Sequence, residues 1–242
     1  SRKTAKNIFP DTFVNQIDDK DIKKQLKYIV SSTETEIYSH TKTVFFPMGE
    51  DFFRSLENKL EKAEKFIFLE YYIIDEGKVW NRIYEILERK AEKGVEIRIL
   101  YDDIGTINLL SAKFRKRLMK IGIKSAKFNP FIPYPDIFAN YRDHRKIAVI
   151  DGKYAYTGGI NIADEYSNEK ERFGIWKDYG MMLEGDAVNK MTDMFLKIWD
   201  YSIGKTESEY EKYKADYFSE NDGIVVPFGS IPSEKENIVK NA

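Results

Sequence analysis

The chain has 242 residues, a net charge of −1 and no cysteine. This length suits one large or two small domains, and the missing cysteine excludes disulfides, thiolate catalysis and thiolate metal sites. Only His40 and His144 could supply imidazole, so a histidine-bound zinc site is not expected. The near-neutral charge disfavours a nucleic-acid partner held by broad electrostatic attraction. The sequence contains no stretch of about 18 apolar residues, so it predicts no membrane span.

Residues 1–42 form a polar extension in which one helix is predicted at Asp19–Val30, because its apolar residues recur at helical spacing. Because the chain starts with a serine, we expect it to be a piece of a longer protein, with any anchor lying upstream. The next elements are a strand, a helix and a continuous apolar run typical of a strand buried on both faces, at Val44–Phe46, Glu50–Ala63 and Phe66–Ile74.

Strands and helices alternate over the following residues. A helix at Val79–Lys93 ends at Gly94, a typical helix terminator. A strand, a helix and a strand follow at Val95–Tyr101, Asn108–Ile121 and Ile123–Phe128. This order predicts an α/β fold, an α-β-α sandwich whose central sheet is mixed, largely parallel and flanked by helices.

The third group of elements starts with two strands, Ile147–Ile150 and Tyr154–Thr157, which the turn at Asp151 and Gly152 joins as a hairpin. A strand at Tyr179–Leu183 and a helix at Ala187–Ile203 complete the domain, which we place at residues 43–204. Residues 205–242 form a separate region. Its first part is predicted to be a linker or a surface helix, and the segment Ile224–Gly229 follows. That segment repeats the pattern of Val44–Gly49, so it is either the start of a second domain or a chance match.

The segment 129–140 contains three prolines and many large apolar side chains, and it directly precedes the strand that carries the motif described next. Prolines exclude regular structure, so the segment either fills part of the core or forms an apolar rim at a pocket mouth. We favour the rim, which a lipid substrate would need.

The most informative pattern is H-x-K-x4-D-x6-G-G-x-N, from His144 to Asn161. A neutral imidazole can attack phosphorus and carry the phosphoryl group. Lys146 lies two residues further along, on the same face of a strand, where its ammonium could bind phosphate oxygens. The glycine pair lets the chain turn and bring the amide of Asn161 towards the same pocket. The pattern therefore predicts attack on a phosphodiester without a metal.

An acid should orient the imidazole, as in other histidine-acid pairs. Asp178, just before a strand, is the first candidate and Glu70 is the second. Asp178 could instead be an ordinary solvated charge, and Glu70 could instead lie at the exposed end of its strand. Asp151 could hold the turn or belong to the catalytic network. His40 lies in a polar stretch and is expected to be a surface residue.

These residues resemble the phospholipase D superfamily and, within it, the bacterial cardiolipin synthases. The resemblance rests on the motif and its continuation, with three supporting stretches, and covers roughly residues 43–203: Asn140–Tyr166, Phe68–Ile74, Ile99–Gly105 and Trp176–Asp178.

The resemblance implies transfer of a phosphatidyl group from one phosphatidylglycerol to another through a phosphohistidine, with release of glycerol. It implies His144 as nucleophile, Lys146 and Asn161 as phosphate binders, Asp178 as orienter and Asp151 as the third motif residue, with no metal or other cofactor. It further implies a membrane surface as a partner and the bacterial cell membrane as the location of the full-length protein, with this piece soluble.

Family enzymes use two such motifs, whereas this chain has one. We therefore expect the chain to be the first catalytic half, truncated at both ends and inactive as an isolated monomer. Its partner would be the second half or another copy of itself. The chief alternative is a single-motif phosphodiesterase or nuclease that acts as a homodimer, and a third possibility is a lipid-binding module without catalysis.

Overall fold

The computed structural model describes residues 17–33, 35–130, 141–172, 174–205, 210–220 and 223–229. Within these ranges, seven strands form one sheet: β1 Thr41–Phe46, β2 Phe66–Tyr71, β3 Glu96–Asp102, β4 Lys124–Phe128, β5 Lys146–Ile150, β6 Tyr154–Gly158 and β7 Gly180–Gly185. Six α-helices accompany them in the same ranges: α1 Lys20–Ser32, α2 Gly49–Glu61, α3 Lys78–Glu92, α4 Asp103–Thr106, α5 Phe114–Lys120 and α6 Val188–Ile203.

The strand order is β1-β7-β6-β5-β2-β3-β4, so β2 lies where two kinds of pairing meet. It pairs parallel with β3 and antiparallel with β5. The prediction of a mixed sheet flanked by helices is confirmed, but the expectation that it is largely parallel is wrong. Among the strands described, only β2-β3 and β3-β4 are parallel pairs. Helical crossovers join these strands, whereas the connection from β5 to β6 is a hairpin and forces antiparallel pairing.

The core has one apolar layer on each face of the sheet, because successive strand residues point to opposite faces. Ile67 and Leu69 of β2 pack with residues of α2 and α3, whereas Phe66 and Phe68 pack with residues of α6. All six residues of β2 are buried, as its unbroken apolar sequence predicts. Glu70 is among them, so the interpretation of this acid as the exposed end of a strand is wrong.

Most predicted helices are confirmed within two residues at each end, but the helix predicted at Asn108–Ile121 is wrong over its first half. The chain instead forms the short helices α4 and α5 on either side of a non-helical stretch. The amide of Ser111 donates to the carboxylate of Glu76 at 2.5 Å rather than to a preceding carbonyl. A tertiary contact therefore interrupts a segment whose apolar spacing is helical.

The strands differ from their predictions mainly at their ends. Strand β1 begins at Thr41, earlier than predicted, because it pairs with β7 over its whole length. The apolar run after Tyr71 leaves the sheet, and Ile74 forms an isolated parallel bridge with Ile162. None of the helices in the described ranges has the length and apolar character needed to cross a bilayer.

Asp151 closes the β5-β6 turn and holds the start of β2. Its backbone is left-handed, with φ 55°. Its buried carboxylate accepts hydrogen bonds from the amides of Glu64, Lys65 and Phe66 at 2.8, 2.8 and 2.9 Å. This contact ties the central antiparallel hairpin to the first parallel strand.

Replacing Asp151 by Ala should lower the free energy of unfolding by roughly 3 kcal/mol, because three amides lose a charged acceptor at once. Asp151→Asn should cost less, since asparagine tolerates the left-handed backbone and keeps one acceptor oxygen. Urea unfolding followed by circular dichroism measures both changes. Equal stability of the alanine variant and the natural protein would contradict this structural role.

Candidate active site

His144 and Lys146 meet at the beginning of β5, on the ring of Tyr72. The His144 imidazole and the Tyr72 ring have centroids 4.7 Å apart, and the Lys146 ammonium lies 5.4 Å from the centre of the same ring. Lys146 Nζ also donates to the backbone carbonyl of His144 at 2.6 Å. The Tyr72 ring therefore lies against both the imidazole and the ammonium that the motif predicts. Tyr72 is a site residue that the sequence analysis did not identify.

The surroundings of these two groups favour a neutral imidazole beside a cation near pH 7. Burial lowers the pKa of Lys146 to about 8, against the opposing charges of Asp143 and Asp178. Partial burial and, next, the Lys146 charge lower the pKa of His144, while Asp143 and Asp102 act in the opposite direction. His144 itself is exposed to solvent, so its ring is open to a substrate.

A buried cluster of Glu70, Asp143 and Arg145 lies beside His144 in sequence and structure. Arg145 Nη2 lies 2.6 Å from Glu70 Oε1, and Arg145 Nε lies 3.2 Å from Asp143 Oδ1. The Glu70 side chain is fully buried. Burial raises the pKa of Glu70 well above its ordinary value, Asp143 raises it further, and only Arg145 opposes this. Glu70, the reserve candidate for orienting His144, thus pairs with the next residue instead.

Asp102, at the end of β3, holds the same segment from its other side. Its carboxylate accepts from the amide of Asp143 at 3.1 Å and pairs with Arg142 at 3.3 Å. Buried acids from neighbouring strand ends therefore contact the chain on both sides of His144, Asp102 through the Asp143 amide and the Arg142 side chain and Glu70 through the Arg145 side chain. Sequence reasoning missed this framework. The available signal was the run of alternating charges next to His144, together with acids at the ends of two adjacent parallel strands.

Asn161 is buried and contacts the segment that follows Tyr72. Its Oδ1 accepts from the amide of Ile73 at 3.0 Å, and its Nδ2 donates to the hydroxyl of Tyr166 at 2.8 Å. These contacts position the residue that follows Tyr72. The other hydrogen of the Nδ2 group would have to donate to the phosphate. Phosphate binding by Asn161 stays a prediction.

Asp178 lies over the glycine pair of the motif. A Cβ at Gly158 would lie only 2.5 Å from the carbonyl oxygen of Tyr179, so this position needs glycine, whereas a Cβ at Gly159 would lie 2.2 Å from Asp178 Oδ1 and would displace the Asp178 carboxylate. The Asp178 carboxylate accepts from the Tyr179 amide at 2.8 Å, and its charge acts on Lys146. No hydrogen bond joins Asp178 to His144 in the part of the chain described, so its orienting role stays a prediction.

The remaining predicted residues lie elsewhere. Asp151 follows the last residue of β5, roughly 16 Å from Lys146 at the strand rise per residue. It performs the turn-holding role that the sequence left open. His40 precedes β1 at the opposite sheet end, where Thr41 pairs with Gly185, and its side chain is mostly exposed. The apolar rim is predicted for the segment 129–140, of which residues 131–140 are outside the described ranges.

A family profile described as "Cardiolipin synthase, PLD-like domain" matches residues 56–199. This span contains His144, Lys146 and the strands that hold them. The match covers more than half of the chain, and the architecture is the mixed sheet between helices expected for such a domain. The chain belongs to this phospholipase D-like, cardiolipin synthase family.

Two relatives with substantial sequence identity support this membership. A cardiolipin synthase from Oceanobacillus iheyensis is 35% identical over 216 residues, which are 89% of this chain and 45% of the relative. An uncharacterised protein from Streptococcus mutans is 46% identical over 217 residues, 89% of this chain and 47% of its own length. The chain thus spans about half the length of the curated relatives it matches.

A solved structure shows the same fold at low identity. Phosphatidylserine synthase from Haemophilus influenzae superposes with a TM-score of 0.56 and 12% identity, over 84% of this chain and 51% of that one. At this identity the likeness concerns the fold alone. Its extent again corresponds to about half of the compared protein.

The Lys146 pKa of about 8 leads to a prediction for anion binding. Sulfate keeps its charge between pH 6 and 10, so a change in its affinity over this range reflects the titration of protein groups. Its affinity for the free protein should fall above pH 8, by up to tenfold per pH unit, as the ammonium loses its proton. At acidic pH the affinity should rise again, because His144, whose pKa burial lowers from its ordinary value, then becomes protonated and adds a positive charge. Calorimetric or NMR titration measures this profile.

Lys146→Arg is the matched control, because a guanidinium stays charged throughout this pH range. The alkaline loss of sulfate affinity should disappear in this variant. An alkaline loss that persists unchanged would show that another group controls anion binding.

Proposed function

We propose that this chain carries one catalytic half-site of a cardiolipin synthase, in which His144 takes up a phosphatidyl group. The single observation that carries the proposal is the exposed imidazole held beside the Lys146 ammonium on the Tyr72 ring. Family membership supports the choice of a phospholipid as the phosphodiester, since the relatives include proteins named cardiolipin synthase.

The proposed first step is attack of a neutral His144 nitrogen on the phosphorus of phosphatidylglycerol. The new P–N bond forms as the P–O bond to glycerol breaks, and the glycerol oxygen takes up a proton from a general acid. Lys146 balances the charge that develops on the non-bridging oxygens, and Asn161 contributes an amide hydrogen. Asp178 adds a carboxylate near the ammonium.

In the second step, a hydroxyl group of another phosphatidylglycerol attacks the phosphohistidine. The new P–O bond forms as the P–N bond breaks, and the hydroxyl proton passes to the general base left by the first step. The products are cardiolipin and free His144. The half-length coverage of the relatives supports a second motif, outside this chain, as the source of that acid and base. We place this chain at the N-terminal half of a membrane-associated enzyme.

The fixed position of the segment around His144 favours this mechanism. Arg142 and Arg145 are paired with buried acids, so little reorganisation of the segment is needed when the imidazole becomes covalently attached. A nucleophile whose position is set before the substrate arrives contributes to the rate through orientation. The low pKa of His144 increases its nucleophilic neutral fraction at pH 7.

The test uses the whole protein, with both halves, in vesicles of phosphatidylglycerol. His144→Asn should lower cardiolipin formation by at least about 10³-fold, because it removes the group that accepts the phosphatidyl moiety. Mass spectrometry of acid-free digests of the natural enzyme should find the adduct on His144.

His40→Gln is the matched control, since His40 is the other histidine of the chain and lies at the opposite end of the sheet. It should leave the rate unchanged. Normal cardiolipin formation by His144→Asn would refute the proposal and favour a role in lipid binding without catalysis.

The isolated 242-residue chain should not turn over phosphatidylglycerol as a monomer, because one histidine cannot both attack and protonate the leaving group. The competing proposal is a homodimeric phosphodiesterase in which two His144 side chains lie within about 8 Å, the span of a phosphate between two imidazoles. Sedimentation combined with assays on phosphatidylglycerol and single-stranded DNA separates them. Robust DNA cleavage by a dimer would favour the competing function.

A further inference from the structure

The ring of Tyr72 is an aromatic face beside the proposed nucleophile. Its centroid lies 4.7 Å from that of the His144 imidazole, and the two rings are tilted by 55°. The Lys146 ammonium lies over the Tyr72 ring, 5.4 Å from its centre. Both distances fall within about 6 Å, the range in which an aromatic ring attracts a positive charge. The ring therefore adjoins the imidazole and already carries one cation on its face.

The backbone that presents this ring is fixed from two sides. On one side α4 approaches so closely that a Cβ at Gly105 would lie 2.1 Å from the carbonyl oxygen of Tyr72. Asp102 holds that close approach, because its carboxylate accepts from the amide of Gly105 at 3.0 Å and from the amide of Asp143 at 3.1 Å. On the other side Asn161 accepts from the amide of the next residue along the chain. One carboxylate thus contacts both the support of the ring and the residue that precedes the imidazole.

The proposed first step creates a positive charge next to this ring. A neutral nitrogen of His144 forms the P–N bond while the P–O bond to glycerol breaks, and the other ring nitrogen keeps its hydrogen. The imidazole changes from neutral to cationic, and the leaving oxygen takes its proton from the general acid. An aromatic face attracts a cation more strongly than a neutral group, because the ring is negative above its plane. A ring fixed in advance therefore favours the phosphorylated imidazole over the free one.

We propose that Tyr72 is a positioning residue of this reaction, whose ring stabilises the cationic imidazole of the phosphohistidine. The inference rests on the proposed function, which makes His144 the nucleophile. The ring acts through its π electrons and not through its hydroxyl group. Phenylalanine should therefore replace Tyr72, and an aliphatic side chain should not.

The first test measures the pKa of His144 by NMR in the 242-residue chain, because protonation gives the imidazole the same charge as the adduct. Tyr72→Phe should keep this pKa. Tyr72→Leu should lower it by roughly half a unit, since the protonated form loses a cation–π contact. Phenylalanines with one, two or three ring fluorines at position 72 should lower it stepwise, because fluorine weakens the negative ring face and keeps the ring shape. The charges that act on the imidazole stay in place in every variant: Lys146, Asp143 and Asp102.

The second test measures cardiolipin formation by the whole protein, with both halves, in vesicles of phosphatidylglycerol. Tyr72→Leu should lower kcat by about threefold to tenfold with little change in KM, because the contact strengthens only when the imidazole becomes charged. Tyr72→Phe should keep the natural rate. The fluorinated rings should lower kcat in the same order as they lower the pKa of His144.

Tyr154→Leu is the matched control, because Tyr154 is also half-buried and also has a lysine, Lys59, over its ring, at 3.7 Å from the centre. It begins β6 and pairs with the last residue of β5, at the sheet end opposite to His144. It should leave the pKa of His144 and the rate unchanged. Adding His40→Gln to each variant leaves His144 as the one imidazole that NMR observes.

A pKa of His144 that does not respond to fluorination would overturn the inference, and so would a response of the pKa without loss of rate. A slow Tyr72→Leu variant with unaffected fluorinated rings would show that the ring only fills space. If thermal unfolding shows that Tyr72→Leu is not folded, the fluorinated series alone decides. A pKa that follows fluorination, in an enzyme whose His144→Asn variant forms cardiolipin normally, would contradict the proposed function and not the contact between ring and imidazolium.

Discussion

The arrangement of the site depends on buried ion pairs at the ends of two adjacent parallel strands. Glu70 of β2 pairs with Arg145, and Asp102 of β3 pairs with Arg142, so the two acids hold the segment on either side of His144. Removing one partner of a buried pair typically costs about 3–5 kcal/mol, because the other charge remains in a poorly solvated place. This cost makes the paired arrangement the stable one, and His144 lies exposed between the two pairs.

The strand β2 links this framework to the rest of the fold. Its start is held by Asp151, its interior is buried on both faces, and its end carries Glu70 next to the chain that presents Tyr72. Because β2 pairs with both β3 and β5, the acids of the parallel half and the motif of the antiparallel half come together at one sheet edge. The sheet thus changes from parallel to antiparallel pairing at β2, and the site lies at the end of this same strand.

Sequence patterns predicted the elements best where one face of a segment is apolar over several turns. The helices at α3 and α6 and the fully buried β2 belong to this group. The pattern failed at 108–113, where the contact between Glu76 and Ser111 replaces a helical hydrogen bond. It also could not give the pairing direction, because alternation and apolarity describe a strand's faces and not its neighbours.

The sequence by itself determined which groups are candidates for the proposed chemistry. The spacing of His144 and Lys146 puts both on one face of a strand whatever the rest of the chain does, and the glycine pair follows from local backbone needs. Only the tertiary structure decided what surrounds them. It places Tyr72 against both groups, directs Glu70 to Arg145, and directs the Asp151 carboxylate to the start of β2. These contacts join residues distant in sequence, and strand pairing and burial set them rather than local spacing.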